Sequence, residues 1–346
     1  MKKLLSLGLA AMLAFGLATT SFAEGETHYD DTSVVEITKN YEATNSGTTS
    51  PAEDFTFTIE KVGVKDAAVG ITKDNMPVPE IVGVSYDTGD AGSANKTKKI
   101  QVKLNGADGK TIYKGVGVYT YTIREAVGDT AGVTYYGNPI TLKVTVIEQN
   151  SQIRVAAVHT EEDPEGQKLS TITNTYSAGS LSVEKEVTGA MGDKNKPFDV
   201  DVTFTAPAGK TVKEAISYNE GEETKTIATT DWKDGKAKVT ITLKHGSTVT
   251  FNNIPYDVTY DVKEHDYTDA ANGGYDDAEY TYTDANEKGK QTPNKVDSKL
   301  EHVKITNTKN GSIDTGVVLN NMPYILVLAV LAAGVAVFII RKRRED

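Results

Sequence analysis

The chain has 346 residues, a formal net charge of −11 and no cysteine. Acidic side chains outnumber basic ones by 48 to 37, which disfavours nucleic acid as a partner, and without cysteine a secreted form has no disulfide bonds. The five histidines show no metal-ligand spacing, and no nucleophile elbow, P-loop or dinucleotide fingerprint is present. We therefore expect no metal, no cofactor and no enzyme active site.

The N-terminal residues follow the pattern of a secretory signal. Lys2 and Lys3 precede an apolar run over residues 4–17, and Ser21-Phe22-Ala23 offers a small residue on each side of Phe22. This order of a basic start, an apolar core and a small-residue exit predicts a signal peptide over residues 1–23.

The stretch between the two ends has the composition of β-strands. Apolar and polar residues alternate repeatedly, as in the run from Asp54 to Ile59, and no long helical period interrupts them. The length suggests two domains. We predict an all-β protein of two tandem Ig-like β-sandwiches, over residues 24–177 and 178–311. The acidic stretches Glu161-Glu162-Asp163 and Asp276-Asp277-Ala278-Glu279 are expected to be solvated loops.

This stretch contains two copies of an internal repeat. Each copy places three polar residues on otherwise apolar strand faces. In the first copy Lys39 alternates with Val35, Ile37 and Tyr41, so the four side chains share a face. A glutamate and an asparagine occupy similar positions on later strands, and the second copy repeats the order at similar spacing. The further faces are Tyr119, Tyr121, Ile123 with Glu125; Ile172 with Asn174; Leu181, Val183, Val187 with Lys185; Val258, Tyr260, Val262 with Glu264; and Val303, Ile305 with Asn307.

Each copy is therefore predicted to bury one lysine, one glutamate and one asparagine. An ion pair at a strand end that reaches water would explain one such set, but two sets in the same order weaken that interpretation, because buried charges are costly and rare. Burial favours a neutral amine and a protonated acid. The amine can then attack the asparagine carboxamide while the acid donates to its oxygen, and ammonia leaves.

The C-terminal residues indicate an anchor. Residues 324–340 carry no charge and are long enough to cross a bilayer core as a helix, and the basic tail 341–344 follows. Such a tail stays in the cytoplasm and leaves the bulk of the chain outside. The plain alternative is a single-span anchor. Because Thr315-Gly316 lies just before the span, residues 312–346 resemble a cell-wall sorting signal, which implies sortase cleavage between Thr315 and Gly316. The usual Leu and Pro are replaced by Ser312 and Ile313, which favours a dedicated sortase.

Taken together, these patterns resemble the streptococcal T-antigen (FctA-like) backbone pilins of Gram-positive cells. The resemblance covers both copies and the tail. It is carried by Ile37-Thr38-Lys39-Asn40, Asp54-Phe55-Thr56-Phe57, Tyr121-Thr122-Ile123-Arg124-Glu125, Val187-Thr188-Gly189, Val262-Lys263-Glu264 and the two Ile-Thr-Asn-Thr strings that contain Asn174 and Asn307.

The resemblance implies a self-formed isopeptide bond in each Ig-like domain, assisted by a glutamate. These would be Lys39–Asn174 with Glu125 and Lys185–Asn307 with Glu264. It also implies an acceptor lysine for the sortase-held threonine shortly before Asn174. Lys168 fits if one gap is allowed, although an ordinary solvated loop lysine is an equal alternative. The Tyr-Pro-Lys motif of other pilins is absent, and the single tryptophan is Trp232.

The leading hypothesis is a structural shaft subunit of a covalently polymerised pilus on the cell wall. Its expected partners are a pilin-type sortase, identical subunits, peptidoglycan and a tip adhesin. The alternative is a monomeric adhesin or stalk protein anchored to the wall, with the same domains but no chain-forming lysine. An exported enzyme has little support, because no acid–base pair remains outside the two polar sets.

Overall fold

The computed structural model describes residues 32–162, 166–284 and 294–311. In these ranges the chain forms strands joined by turns, with three single-turn 3-10 helices at Asp90–Gly92, Ala94–Lys96 and Thr229–Asp231. The prediction of an all-β fold is therefore confirmed. The predicted signal peptide over residues 1–23, the Thr315-Gly316 site and the span over residues 324–340 lie outside the described residues. Within the described ranges, no helix is both long enough and apolar enough to cross a membrane.

The first twelve strands form two five-stranded sheets and a short pair. One sheet has the order β4-β6-β1-β12-β8, the second has the order β11-β10-β9-β7-β3, and β2 pairs with β5. The strands are β1 Val34–Ala43, β2 Glu53–Phe55, β3 Phe57–Lys65, β4 Glu80–Val82, β5 Val84–Tyr86, β6 Thr97–Lys103, β7 Gly117–Glu125, β8 Val133–Thr134, β9 Ile140–Gln149, β10 Gln152–Glu162, β11 Gln167–Lys168 and β12 Thr171–Tyr176.

The remaining nine strands form a second pair of sheets. One has the order β16-β15-β18-β13-β21-β20, and the other has the order β17-β14-β19. The strands are β13 Ala178–Thr188, β14 Phe198–Thr205, β15 Ile216–Glu220, β16 Glu223–Ile227, β17 Lys236–Leu243, β18 Thr248–Pro255, β19 Thr259–Glu264, β20 Glu279–Asp284 and β21 Leu300–Thr308. The described strands of each half pair only within that half, which gives the two tandem Ig-like sandwiches that the alternation predicts.

Two details differ from the sequence expectations. The acidic pair Glu161 and Glu162 closes strand β10 and does not form a loop. Lys168, expected in a loop, pairs with Glu161 through the two-residue strand β11. Both exceptions arise because the backbone of a polar segment can pair across a hairpin while its side chains stay in water.

Each sandwich has its own apolar core, built from the alternating positions of facing strands. Ile37, Tyr119 and Tyr121 are completely or almost completely buried in the first, and Leu181 and Phe204 are buried in the second. The alternation predicted from the sequence therefore selects the buried face correctly in both halves.

A single residue, Ser177, separates β12 from β13, so the two sandwiches meet closely. The Ser177 backbone donates to the Gly132 carbonyl and accepts from the Tyr256 amide. Gly132 has a φ of +77°, and a Cβ there would lie 2.6 Å from the Ser177 carbonyl oxygen, so the junction requires glycine. An ion pair between Lys213 and Asp129, 3.0 Å long, adds a contact between the halves.

Candidate cross-linking sites

The first and last strands of each sandwich are parallel neighbours, and this register brings each lysine beside an asparagine. In the first sandwich Lys39 lies opposite Ile172, and Tyr41 lies opposite Asn174. Lys39 and Asn174 are therefore diagonal neighbours on one face of the sheet.

The second sandwich repeats this register. Lys185 lies opposite Ile305, and Val187 lies opposite Asn307. The lysine-to-asparagine offset is therefore the same two residues in both sandwiches, although the sequences of the strands differ.

The glutamate of each set comes from the facing sheet. Glu125 is the last residue of β7, and Glu264 is the last residue of β19. Each lies on the buried face of its strand, with 8% and 6% of its surface exposed. Each set of three residues therefore spans the two layers of its sandwich.

In the first site, one carboxyl group contacts both nitrogen atoms that a cross-link would involve. The Lys39 amine donates to Glu125 Oε2 over 2.5 Å, and Asn174 Nδ2 donates to Glu125 Oε1. The backbone amide of Tyr136 donates to Asn174 Oδ1 over 2.9 Å. Lys39 and Asn174 are completely buried.

The second site has the same bridging carboxyl group. Lys185 Nζ lies 3.2 Å from Glu264 Oε2, and Asn307 Nδ2 donates to Glu264 Oε1 over 2.6 Å. Here, however, the lysine amine also donates to Asn307 Oδ1. The backbone amide of Glu264 donates to the Tyr280 hydroxyl over 2.9 Å, which fixes the end of β19.

An aromatic ring covers each lysine amine. The Lys39 amine lies 4.6 Å from the centre of the Phe55 ring, and the Lys185 amine lies 4.4 Å from that of Phe198. These rings keep water from the amine on one side.

Burial shifts the pKa values of Lys39, Lys185 and Glu264 so that the neutral form of each is favoured. It lowers the pKa of the Lys39 amine from 10.5 to about 8, against the opposing effect of the Glu125 charge. Burial likewise lowers the pKa of Lys185 and raises the pKa of the Glu264 carboxyl. At neutral pH roughly a tenth of Lys39 would be unprotonated, several hundred times the fraction of an ordinary lysine.

This arrangement can support formation of an amide between lysine and asparagine. The neutral amine attacks the carboxamide carbon, the Nζ–Cγ bond forms, and the Cγ–Nδ2 bond breaks. The glutamate can take a proton from Nζ at one oxygen and deliver a proton to Nδ2 at the other, so that ammonia leaves. In the first site the Tyr136 amide can stabilise the negative charge that develops on Oδ1.

The geometry changes one element of the mechanism expected from the sequence. The glutamate was expected to donate to the carboxamide oxygen. In both sites it contacts the carboxamide nitrogen, and in the first site the oxygen is bound by the Tyr136 backbone. A backbone donor leaves no mark in the side-chain pattern, so the sequence could not reveal it. Phe55 was visible in the alternating pattern, but its contact with Lys39 was not.

Lys168 lies away from these buried residues. It is exposed, as an acceptor for another chain would need to be, and it lies three residues before the start of β12 at Thr171. Trp232 packs partly buried against the core of the second sandwich, which agrees with an ordinary structural role.

The fold and these sites define a class of tandem Ig-like proteins with a buried lysine, glutamate and asparagine in each sandwich. Residues 35–177 match the family described as the Spy0128-like isopeptide containing domain (FctA). Residues 179–309 match a family described as a domain of unknown function (DUF7601).

Nearly the whole chain is similar to a streptococcal pilin. It is 28% identical to a pilin of Streptococcus pyogenes serotype M1 over 97% of this chain and 99% of the relative. The crystal structure of the major pilin from Streptococcus pyogenes shares the fold with a TM-score of 0.53, at 23% identity, over 81% of this chain and 99% of that one. A shorter match, 32% identical, joins 27% of this chain to 13% of the Streptococcus pyogenes pilus tip adhesin Cpa.

Proposed function

We propose that the protein is the structural shaft subunit of a covalently polymerised surface pilus. In this proposal each sandwich is closed by one isopeptide bond, Lys39–Asn174 or Lys185–Asn307, which forms with the help of Glu125 or Glu264. The observation that carries the proposal is the repetition of the same buried triad, in the same register, between the terminal strands of two successive sandwiches. The similarity to streptococcal pilins along nearly the whole chain supports it.

The position of the bonds suits a fibre under tension. A pull on the chain ends loads β1 against β12 and β13 against β21, because the first and last strands of each sandwich are paired in parallel. A covalent bond between these strands would carry the load directly, and the ladder of hydrogen bonds would not have to slide. Ser177 alone separates β12 from β13, so the load would pass from one cross-linked pair to the next.

Assembly would depend on the signal peptide and the sorting signal that the sequence predicts at the two ends of the chain. After export through the signal peptide over residues 1–23, a pilin-type sortase would cleave between Thr315 and Gly316 while residues 324–340 hold the chain in the membrane. It would then join Thr315 to Lys168 of the next subunit. The finished polymer would finally be attached to peptidoglycan. We also propose domain boundaries at residues 24–177 and 178–311. A tip adhesin is a further proposed partner.

Intact mass is the first test of the proposal. The measured mass of the monomeric ectodomain should be lower than the mass calculated from its sequence by two molecules of ammonia, since each bond releases one. Glu125→Ala should restore the mass of one, and Glu125→Ala with Glu264→Ala should restore both. A wild-type mass equal to the sequence mass would contradict both bonds.

Covalent ladders on denaturing gels of wall extracts are the second test. Wild-type cells should show a series of high-mass bands, and Lys168→Ala should remove them while leaving a folded monomer at the surface. Lys236→Ala, which changes another exposed strand lysine, should keep the ladder. Ladders that persist in Lys168→Ala would mean that another lysine is the acceptor. A wild type without ladders would favour the monomeric wall-anchored adhesin.

A further inference from the structure

The two glutamates of the candidate cross-linking sites end strands that differ in their neighbours. Glu125 is the last residue of β7, which lies between β9 and β3 in its sheet. Glu264 is the last residue of β19, which lies at the edge of the sheet β17-β14-β19. An edge strand directs alternate backbone groups away from its sheet. In the sheets that the structure describes, Glu264 therefore has a neighbouring strand on one side only.

The backbone amide of Glu264 points away from the rest of its sheet. Glu264 lies opposite Val200 of β14, and the amide of the next residue, His265, donates to the Asp199 carbonyl over 3.0 Å. Because successive amides of a strand point to opposite sides, the Glu264 amide faces the open edge. It donates there to the Tyr280 hydroxyl over 2.9 Å, so a side chain takes the place of a neighbouring strand.

Tyr280 belongs to the other sheet, on the strand beside that of Asn307. It lies on β20 opposite Ile305 of β21, which is two residues before Asn307 and on the same face of β21. The Tyr280 ring packs against the core of the second sandwich, and its centre lies 6.4 Å from that of the stacked Tyr282 ring. Tyr280 therefore connects the strand pair that carries the asparagine with the backbone of the glutamate in the facing sheet.

The cavity beside the second site gives the Glu264 carboxyl an alternative position. This cavity of about 380 Å³ is lined by Glu264, Tyr280 and Asn307 among other residues. In the structure the carboxyl instead contacts Lys185 at 3.2 Å and Asn307 at 2.6 Å, and burial raises its pKa. A looser end of β19 would let the carboxyl turn into the cavity and reach water. It would then lose both contacts and the burial that favours its protonated form.

We propose that Tyr280 is the positioning residue of the second cross-linking site: its hydroxyl holds the Glu264 backbone so that the carboxyl bridges the lysine and the asparagine. This inference rests on the proposed function, since it concerns how the Lys185–Asn307 bond forms. Tyr280 exchanges no proton with the reacting groups and acts only through Glu264. In the first site an interior strand positions Glu125, so no equivalent hydroxyl is required there.

The formation rates of the two bonds test this role. Tyr280→Phe keeps the ring and removes the hydroxyl. We expect it to slow the Lys185–Asn307 bond by about 10–100-fold, since a misplacement of about 1 Å can cost on the order of 10²-fold in rate. The Lys39–Asn174 bond in the same molecules should form at the wild-type rate. Both rates are measured by mass spectrometry of the cross-linked peptides after a pulse of cell-free synthesis of the full chain.

Tyr282→Phe is the matched control, because it removes the hydroxyl of the neighbouring ring on the same strand. Both bonds of this variant should form at the wild-type rates.

Amide hydrogen exchange separates a positioning role from a general loss of stability. The measurement uses Lys185→Ala, in which the second bond cannot form, with and without Tyr280→Phe. Adding Tyr280→Phe should raise the exchange rate of the Glu264 amide at least about tenfold, because this amide loses its acceptor. The amides of β14 and the melting temperature should change no more than they do when Tyr282→Phe is added.

The possible failures can be told apart. A wild-type rate of the second bond in Tyr280→Phe would overturn the role of Tyr280 and leave the cross-link intact. Faster exchange throughout the second sandwich, together with a lower melting temperature, would also overturn it, because the tyrosine would then only stabilise the fold. A wild type that never loses the second ammonia would contradict the cross-link itself, and this inference with it.

Discussion

The two candidate cross-linking sites share their residues and register but differ in how the carboxamide is held. In the first site the carboxamide oxygen of Asn174 is bound by the Tyr136 backbone, and the Lys39 amine donates to Glu125. In the second site the Lys185 amine itself donates to the Asn307 oxygen. An amine bonded to the oxygen lies near the plane of the carboxamide, whereas attack on the carbon comes from above or below that plane.

The surroundings of the two sites differ as well. A cavity of about 380 Å³ borders the second site and is lined by Glu264 and Asn307, together with Tyr267 and Tyr280. The first site instead packs against the edge-to-face cluster of Tyr41, Phe55 and Tyr86. The comparison indicates that the first site is more completely arranged for reaction, whereas in the second site the amine or the carboxamide would have to move before a bond could form.

The largest expected effect is the loss of a cross-link. Lys39→Ala and Lys185→Ala would each open a loop, of 135 and 122 residues (174 − 39 and 307 − 185). By analogy with disulfides, each should lower the free energy of unfolding of its own sandwich by about 4–5 kcal/mol in the chain-entropy model. Calorimetry should show that one transition moves to lower temperature in each variant while the other stays nearly in place.

Lys236→Ala is the matched control for this experiment, because it removes an exposed lysine of the second sandwich. It should leave both transitions and the resistance to protease unchanged. If Lys185→Ala melts like Lys236→Ala, the second sandwich contains no cross-link.

The next effect tests the asymmetry directly. Tyr136→Pro removes the backbone donor to the Asn174 oxygen and should slow the first bond by about 10²–10³-fold, the usual effect of losing one such donor. The second bond should be unaffected. The rates are followed by mass spectrometry of the two cross-linked peptides after a pulse of cell-free synthesis.

Tyr136→Phe is the control for this change, since it keeps the backbone amide and removes only the hydroxyl that donates to Glu162. Its first bond should form at the wild-type rate. An unchanged rate in Tyr136→Pro would mean that the backbone amide contributes nothing to the reaction.

The smallest expected effect is on pH dependence. Only the unprotonated amine can attack, and burial sets the pKa of Lys39 at about 8. The rate of the first bond should therefore fall by about tenfold for each pH unit below 8 and level off above it. An ordinary lysine would keep gaining rate up to about pH 10.4. The same pulse experiment, run across pH, measures this, and a rate that still rises steeply above pH 9 would contradict the lowered pKa.

The sequence was sufficient to predict the fold class, and it singled out the six residues that the structure brings together in two buried groups. The period-two alternation of apolar side chains marks the buried faces, and a lysine, glutamate or asparagine on such a face is conspicuous because burial of a charge is costly. Lys39 and Glu264 could be identified in this way without knowledge of which strands were neighbours.

Only the tertiary structure decided how these residues meet. The parallel pairing of β1 with β12 and of β13 with β21, the contact of Glu125 with the carboxamide nitrogen and the Tyr136 backbone donor depend on segments that are distant in the chain. Alternation specifies which face of a strand is buried, but strand register and backbone donors arise from the packing of the whole sandwich.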